Sequence, residues 1–178
     1  MTRSEEDTIL RKNSALFINN ICQVFKDIAD IELKVMPALP NSAKLQQHRH
    51  GMVVISHFSG MIQGDFLLST DEETAAAIAG FNPAENDHSS LYLHRETYVG
   101  LLCEALNTCV HQSISGLEQQ FGALTVLPPA WIFGEYHSAD YISGVGYVRG
   151  VCGHITCSLS LNMVSLQIID NLKCGLVG

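Results

Sequence analysis

Apolar residues recur at helical spacing in two long segments of the chain. The first segment predicts an amphipathic helix from Ser14 to about Ala29, with Asn13 or Ser14 as its N-cap. The second predicts a helix from His94 to about Gln120. Residues 1–12 are polar, and we expect them to form a flexible N-terminus. Each predicted helix has one apolar flank, which needs another surface to pack against.

Strand-like runs follow the first helix. They predict a short strand over 31–36, a hairpin over 51–68 that turns at Phe58-Ser59-Gly60, and then a short helix. That helix begins at the capping box Thr70-Asp71-Glu72-Glu73, with Thr70 as the cap, and Gly80 ends it. Loops are predicted over 37–42 and 82–90, where Pro, Asn, Ser and charged residues concentrate.

After the long helix from His94, a strand, a hairpin and a helix follow in the same order. A strand is predicted over 124–126, a hairpin from the runs 142–151 and 155–161 with its turn at Gly153-His154, and a closing helix over 164–172. Helix, strand, hairpin and helix therefore occur twice, in pseudo-repeats of about 13–80 and 94–173. Hairpins imply a mainly antiparallel sheet, and two long amphipathic helices can cover one face of it.

Length and composition bound this picture. A chain of 178 residues with 47% hydrophobic residues can bury one core, so we expect a single domain over 13–178. The predicted fold class is α+β, with a pseudo-twofold internal repeat. The formal charge is -8, and the longest basic block is Arg11-Lys12. Nucleic acid is therefore a poor candidate partner, because binding to it needs clustered Lys and Arg.

The expected location is cytoplasmic, without a membrane anchor. The apolar segments are shorter than the roughly 20 residues that span a bilayer, and the first residues are acidic and polar. The six cysteines lack the regular spacing of a disulfide framework, which favours free thiols. No metal site is predicted. Cys152, His154 and Cys157 lack a second close pair of ligands, and His48-Arg49-His50 has no acidic or thiol partner at metal-binding spacing.

The helix from His94 has two contrasting faces. The apolar stripe comprises Tyr98, Leu101, Leu102, Ala105, Cys109 and Leu117. The opposite stripe, predicted to face solvent, comprises Thr97, Gly100, Glu104, Asn107, Thr108 and His111. A glycine inside a helix costs about 1 kcal/mol relative to alanine, which favours close approach of another surface at Gly100. The pair Glu104-x-x-Asn107 places a carboxylate beside a carboxamide, but its spacing is also compatible with ordinary solvent-facing residues.

Taken together, several segments of the chain resemble the CheC/CheX/FliY family of bacterial chemotaxis phosphatases, and most closely its CheX-like members. The resemblance covers about 13–161. Its motifs are Ser59-Gly60-Met61-Ile62-Gln63-Gly64-Asp65-Phe66, Thr70-Asp71-Glu72-Glu73-Thr74-Ala75, Glu104-Ala105-Leu106-Asn107, Leu127-Pro128-Pro129 and Gly153-His154-Ile155-Thr156-Cys157-Ser158-Leu159-Ser160-Leu161.

The resemblance implies hydrolysis of the aspartyl phosphate on a CheY-type receiver domain. Asn107 would orient the attacking water, and Glu104 would pair with the receiver's active-site lysine. Mg²⁺ would belong to the receiver, so the chain needs no cofactor of its own. The alternative function is a non-catalytic module that binds a receiver or a flagellar-switch component.

The resemblance also bears on assembly and on the remaining surface of the helix. CheX-like proteins are commonly homodimers that join sheet edges. The first helix lacks a Glu-x-x-Asn pair, so one active surface per chain is expected. Thr97, Gly100, Thr108 and His111 are expected to contact the partner, although His111 is also compatible with an ordinary solvent-facing histidine. After Asn107 the chain departs from the family pattern, because family members commonly carry small residues where it has 108–112.

Overall fold

A computed structural model describes residues 3–36, 51–81, 92–134, 142–150 and 153–162. Helices and strands follow one another in these segments in the order of the two predicted repeats. The elements are α1 Arg3–Ala29, β1 Lys34–Met36, β2 Met52–Ser59, β3 Gln63–Thr70, α2 Glu72–Ile78, α3 Arg95–Ser113, α4 Ser115–Phe121, β4 Thr125–Val126, β5 Ala130–Phe133, β6 Ile142–Gly150 and β7 Gly153–Asn162.

All these strands form one sheet, in the order β1-β6-β7-β3-β2-β4, with β5 also paired to β2. Every pairing is antiparallel. The hairpin strands β3 and β7, one from each half, lie side by side at the centre. The short strands of each half pair with a hairpin strand of the other half: β1 pairs with β6, and β4 and β5 pair with β2. This exchange gives the sheet a pseudo-twofold arrangement and confirms the predicted fold class.

Helices α1 and α3 pack against each other and against one face of the sheet. Alternate strand positions turn toward them, because successive side chains of a strand point to opposite faces. Phe66 of β3 stacks edge-on against Phe17 of α1, with ring centroids 4.9 Å apart, and it also contacts Phe58 of β2. These rings are fully or almost fully buried. The core therefore lies between the sheet and the two long helices.

The first helix is longer than predicted. It begins at Arg3, so the predicted start at Ser14, with Asn13 or Ser14 as the N-cap, is wrong. Leu10 and Asn13 are only 4% and 2% exposed, and they extend the buried stripe toward the N-terminus. The sequence concealed this extension because the buried position 13 is occupied by a polar residue.

Several predicted boundaries also change. Asp71, rather than Thr70, caps α2, because its Oδ1 accepts a hydrogen bond from the Thr74 backbone N–H at 2.7 Å, while Thr70 ends β3. Gly153 pairs with Gly150 within the β6–β7 ladder, so Gly153 and His154 belong to β7 rather than to the turn. The second long helix is divided at Ile114 into α3 and α4.

Other sequence predictions concern residues outside the described ones. These are the loops at 37–42 and 82–90, the histidine-rich segment 48–50, the closing helix at 164–172, and Cys152. Within the described segments, no helix combines the length and the apolar character needed to cross a membrane.

Candidate functional site

Helix α3 carries the predicted site, and its C-terminal half is fixed to α1. The Cys109 thiol donates to the Phe17 carbonyl oxygen at 3.3 Å. Asn20 Nδ2 donates to Ser113 Oγ at 2.9 Å, and this hydroxyl in turn donates to the Cys109 carbonyl oxygen at 2.7 Å. Burial raises the pKa of Cys109 to about 12, so its thiol stays protonated as a donor near neutral pH.

The N-terminal end of α3 is fixed to α2 by one carboxylate. Glu72 Oε1 accepts hydrogen bonds from Arg95 Nε at 3.0 Å and Nη2 at 2.7 Å, and from the Tyr98 hydroxyl. Burial and the hydrogen bond to Glu72 raise the pKa of Tyr98 to about 12. The Arg95 guanidinium also lies over the rings of Tyr92 and Phe133, at 4.7 and 4.1 Å from their centroids. Sequence reasoning missed this anchor, because Glu72 and Arg95 are distant in the chain.

The two predicted faces of α3 are confirmed in outline. On the outer stripe Thr97, Gly100, Glu104 and His111 are exposed, whereas Asn107 and Thr108 are half-buried. On the inner stripe Tyr98, Leu102, Ala105, Cys109 and Leu117 are buried, and Leu101 is half-buried. Leu106, between the two functional candidates, is completely buried. Its burial fixes the rotation of the helix and turns Glu104 and Asn107 toward the outside.

Glu104 and Asn107 are close on this outer face by helical geometry. A separation of three residues corresponds to a rise of about 4.5 Å and a rotation of about 60° around the axis. The pair therefore presents a negative acceptor beside a group that both donates and accepts hydrogen bonds. This combination can hold a cationic group with one side chain and orient a water molecule with the other. His111 lies one turn beyond Asn107 on the same side, where it could contact a bound partner.

Gly100 differs from the other described glycine within a helix on this side of the sheet. A Cβ added at Gly116 of α4 would lie 2.5 Å from Asn13 Oδ1 and 3.3 Å from Leu16 Cδ2, so close packing against α1 accounts for that glycine. A Cβ added at Gly100 would meet nothing within 4 Å. The described part of the chain thus leaves the surface at Gly100 open.

A polar row lies on the other face of the sheet, and two of its three residues are buried. His57 Nδ1 lies 2.9 Å from Asp65 Oδ1, and Ser160 Oγ donates to Asp65 Oδ2 at 3.4 Å. Asp65 is 4% exposed and Ser160 is 1% exposed. Their positions on β2, β3 and β7 are direct neighbours across the sheet. Strand register brings these residues together, so their spacing along the chain does not predict the contact.

The described cysteines are free thiols. Cys109 and Cys157 are buried, and Cys22 and Cys103 are half-buried. No three or more His, Cys, Asp or Glu side chains in the described segments form a cluster that could hold a metal ion.

Comparison with known proteins identifies solved structures that share this fold. No family model and no curated protein matches the chain, but solved structures do. A CheC-like superfamily protein from Shewanella sp. PV-4 superposes with a TM-score of 0.66 at 14% identity, over 82% of this chain and 94% of that one. The chemotaxis protein CheX from Desulfovibrio desulfuricans gives 0.67 at 13% identity, over 85% and 99%.

A third solved structure, from Borrelia burgdorferi, is a CheX–CheY–BeF₃–Mg²⁺ complex. It matches with a TM-score of 0.66 at 18% identity, over 83% of this chain and 96% of that chain. Identities this low establish a shared fold rather than a shared activity. The chain has the α+β fold of CheX and the CheC-like chemotaxis proteins.

Proposed function

We propose that this chain is a CheX-like phosphatase that hydrolyses the aspartyl phosphate of a CheY-type receiver domain in the cytoplasm. The observation that carries the proposal is the joint accessibility of Glu104 and Asn107 on one face of α3. That helix is anchored at both ends, which provides the rigid support that a positioned catalytic pair requires. The fold shared with a CheX that was solved in complex with CheY supports the choice of partner.

Hydrolysis of an aspartyl phosphate requires few catalytic groups. An acyl phosphate is already activated, so the main task is to place a water molecule in line with the phosphorus and to exclude poor geometries. The Asn107 carboxamide can accept a hydrogen bond from this water and can donate one to a phosphoryl oxygen. Attack by the water forms a new P–O bond and breaks the bond to the receiver aspartate, which leaves as a carboxylate. Mg²⁺ held by the receiver would neutralise the phosphoryl oxygens.

Glu104 acts in docking. Its exposed carboxylate pairs with the active-site lysine of the receiver, and this charge-assisted contact sets the register of the two surfaces. Thr97 and Gly100 extend the docking face toward the N-terminus of α3, while Thr108 and His111 extend it toward the C-terminus. A protonated His111 would favour an anionic partner group at this rim.

The test is a phosphoryl-lifetime assay against receiver domains of the same organism. The wild-type chain should shorten the lifetime of the aspartyl phosphate. Asn107→Ala should reduce the acceleration of dephosphorylation by about 10²-fold, because the water loses the group that positions it. Gln119→Ala is the control, since Gln119 is also exposed but lies on α4, beyond the docking face. Normal acceleration by Asn107→Ala would refute the mechanism. A wild-type chain that binds a receiver without shortening the lifetime would instead be a binding module.

We also propose that the chain forms a homodimer through the sheet edge at β5. In the described part of the sheet, β5 pairs only with β2. Leu127, Trp131 and Ile132 near this edge are 48%, 50% and 41% exposed. A strand with one open side and apolar side chains is a ready site for pairing with a second copy.

A further inference from the structure

Leu93 is the most exposed large hydrophobic side chain among the described residues, at 79%. Its neighbour Tyr92 is 66% exposed. Both residues lie in a helical turn directly before α3, and only the N-cap residue His94 separates them from that helix. Single apolar side chains are common on protein surfaces, whereas adjacent apolar residues with this much exposure are typical of a contact surface.

The usual structural role of an apolar residue at this position is absent. A residue that precedes the N-cap often packs against the fourth residue of the helix, an arrangement called a hydrophobic staple. For α3 these two residues are Leu93 and Tyr98. Tyr98 is completely buried and its hydroxyl donates to Glu72, whereas the Leu93 side chain lies mostly in solvent. Leu93 therefore contributes little to the stability of α3.

The turn that carries Leu93 is nevertheless held in place on both sides. The Arg95 guanidinium lies over the Tyr92 ring, 4.7 Å from its centroid. His94 stacks on Phe81, with ring centroids 4.2 Å apart and an interplanar angle of 17°. Contacts made by both neighbours restrict the backbone at Leu93. Its side chain is therefore presented to a partner at a low cost in conformational entropy.

Leu93 also continues the docking face of α3. The next positions of this face follow at intervals of four, three, four, three and four residues, which place them on one side of a helix: Thr97, Gly100, Glu104, Asn107 and His111. Leu93 precedes Glu104 by 11 residues, or about 16 Å along the axis. A standard interface covers about 800 Å² per partner, which corresponds to a radius of about 16 Å. A receiver centred on Glu104 therefore extends to Leu93.

We propose that Leu93 and Tyr92 form an apolar contact with the receiver domain, about 16 Å from the contact between Glu104 and the receiver lysine. The inference rests on the proposed function, because Glu104 defines where the receiver lies. The receiver supplies an apolar surface at that distance, and burial of Leu93 against it adds affinity through the hydrophobic effect. A receiver without this apolar surface binds less tightly, which makes Leu93 a determinant of partner choice.

The test measures dephosphorylation at increasing concentrations of the phosphorylated receiver. Leu93→Ser should raise the half-saturating receiver concentration about tenfold and leave the maximal rate unchanged, because Asn107 still positions the water. Leu93→Met, which keeps the apolar volume, should behave as wild type. Met61→Ser is the matched control, since Met61 is 44% exposed and lies beside Gly122, the residue that follows α4. It should change neither parameter.

Binding of the receiver loaded with beryllium fluoride and Mg²⁺ gives a second readout that needs no hydrolysis. Leu93→Ser should weaken this binding about tenfold as well. An unchanged affinity in Leu93→Ser overturns the inference, and so does an equal loss in Met61→Ser. A lower sedimentation mass of Leu93→Ser also overturns it, because Leu93 would then join two copies of the chain. Equal thermal midpoints would verify that the variants fold.

Failure of the proposed function has a different signature. The wild-type chain would then leave the phosphoryl lifetime unchanged, while the binding measurement still compares Leu93→Ser with wild type. A wild-type chain that binds no receiver overturns the proposed function and the inference together. Normal dephosphorylation by wild type with an unaltered half-saturating concentration in Leu93→Ser overturns the inference alone.

Discussion

Alanine substitutions at Gly100 and Gly116 should change stability in opposite directions. In an exposed helix interior, Gly→Ala stabilises by about 1 kcal/mol through reduced backbone entropy. The methyl group of Gly100→Ala would meet nothing within 4 Å, so the full gain is expected. The methyl group of Gly116→Ala would lie 2.5 Å from Asn13 Oδ1. Asn13 is 2% exposed, and its Nδ2 is held by the Ile9 carbonyl oxygen at 2.9 Å, so it has little freedom to move.

Overpacking of this kind costs about 1–3 kcal/mol, which exceeds the gain in helix propensity. We therefore expect Gly116→Ala to be less stable than wild type and the two variants to differ by about 1–3 kcal/mol. Urea unfolding followed by circular dichroism would measure this as shifts of the midpoint at constant slope. If a receiver packs closely on α3, Gly100→Ala should also weaken dephosphorylation although it stabilises the fold. A destabilised Gly100→Ala, or shifts of the same sign in both variants, would refute the assignment of these two surfaces.

Two further predictions concern the β5 edge and the anchor of α3. Trp131→Lys should convert a homodimer to a monomer in sedimentation experiments, whereas Val35→Lys on β1, at the opposite edge of the sheet, should not. A dimer that tolerates Trp131→Lys would exclude the β5 edge as the interface. Burial and the hydrogen bond to Glu72 raise the pKa of Tyr98 to about 12, above its ordinary value near 10. The contribution of Tyr98 to stability is therefore complete below about pH 10 and is lost as the pH rises through about 12. The loss is on the order of 2–3 kcal/mol. Tyr98→Phe, which cannot ionise, should lack this part of the alkaline decline in the free energy of unfolding, and an unchanged decline would show that Tyr98 is not its source.

Local pattern was sufficient to predict which face of α3 is exposed. The helical period fixes the angle between Glu104 and the apolar residues of the same helix, so burial of the latter decides the exposure of the former. The same reasoning failed at the start of α1, where buried Asn13 and Ser14 interrupt the apolar pattern. It also misplaced the cap of α2, since Thr70 and Asp71 are both good cap residues and only the extent of β3 decides between them.

Strand order and the anchors of α3 could not be predicted in this way. The exchange of short strands between the two halves depends on which edges meet in space, and hairpin patterns are silent on that point. Glu72 joins Arg95 and Tyr98 only because α2 packs against the beginning of α3. The row of His57, Asp65 and Ser160 likewise depends on the register of three strands.

The sequence by itself determined the element types, the two-part order and the outward pair Glu104 and Asn107, because these depend on spacing within single segments. The tertiary structure decided how the halves interlock and what holds α3 in place. These features depend on contacts between segments far apart in the chain. Their geometry is set by packing of the whole sheet with its helices, which no local pattern of residues encodes.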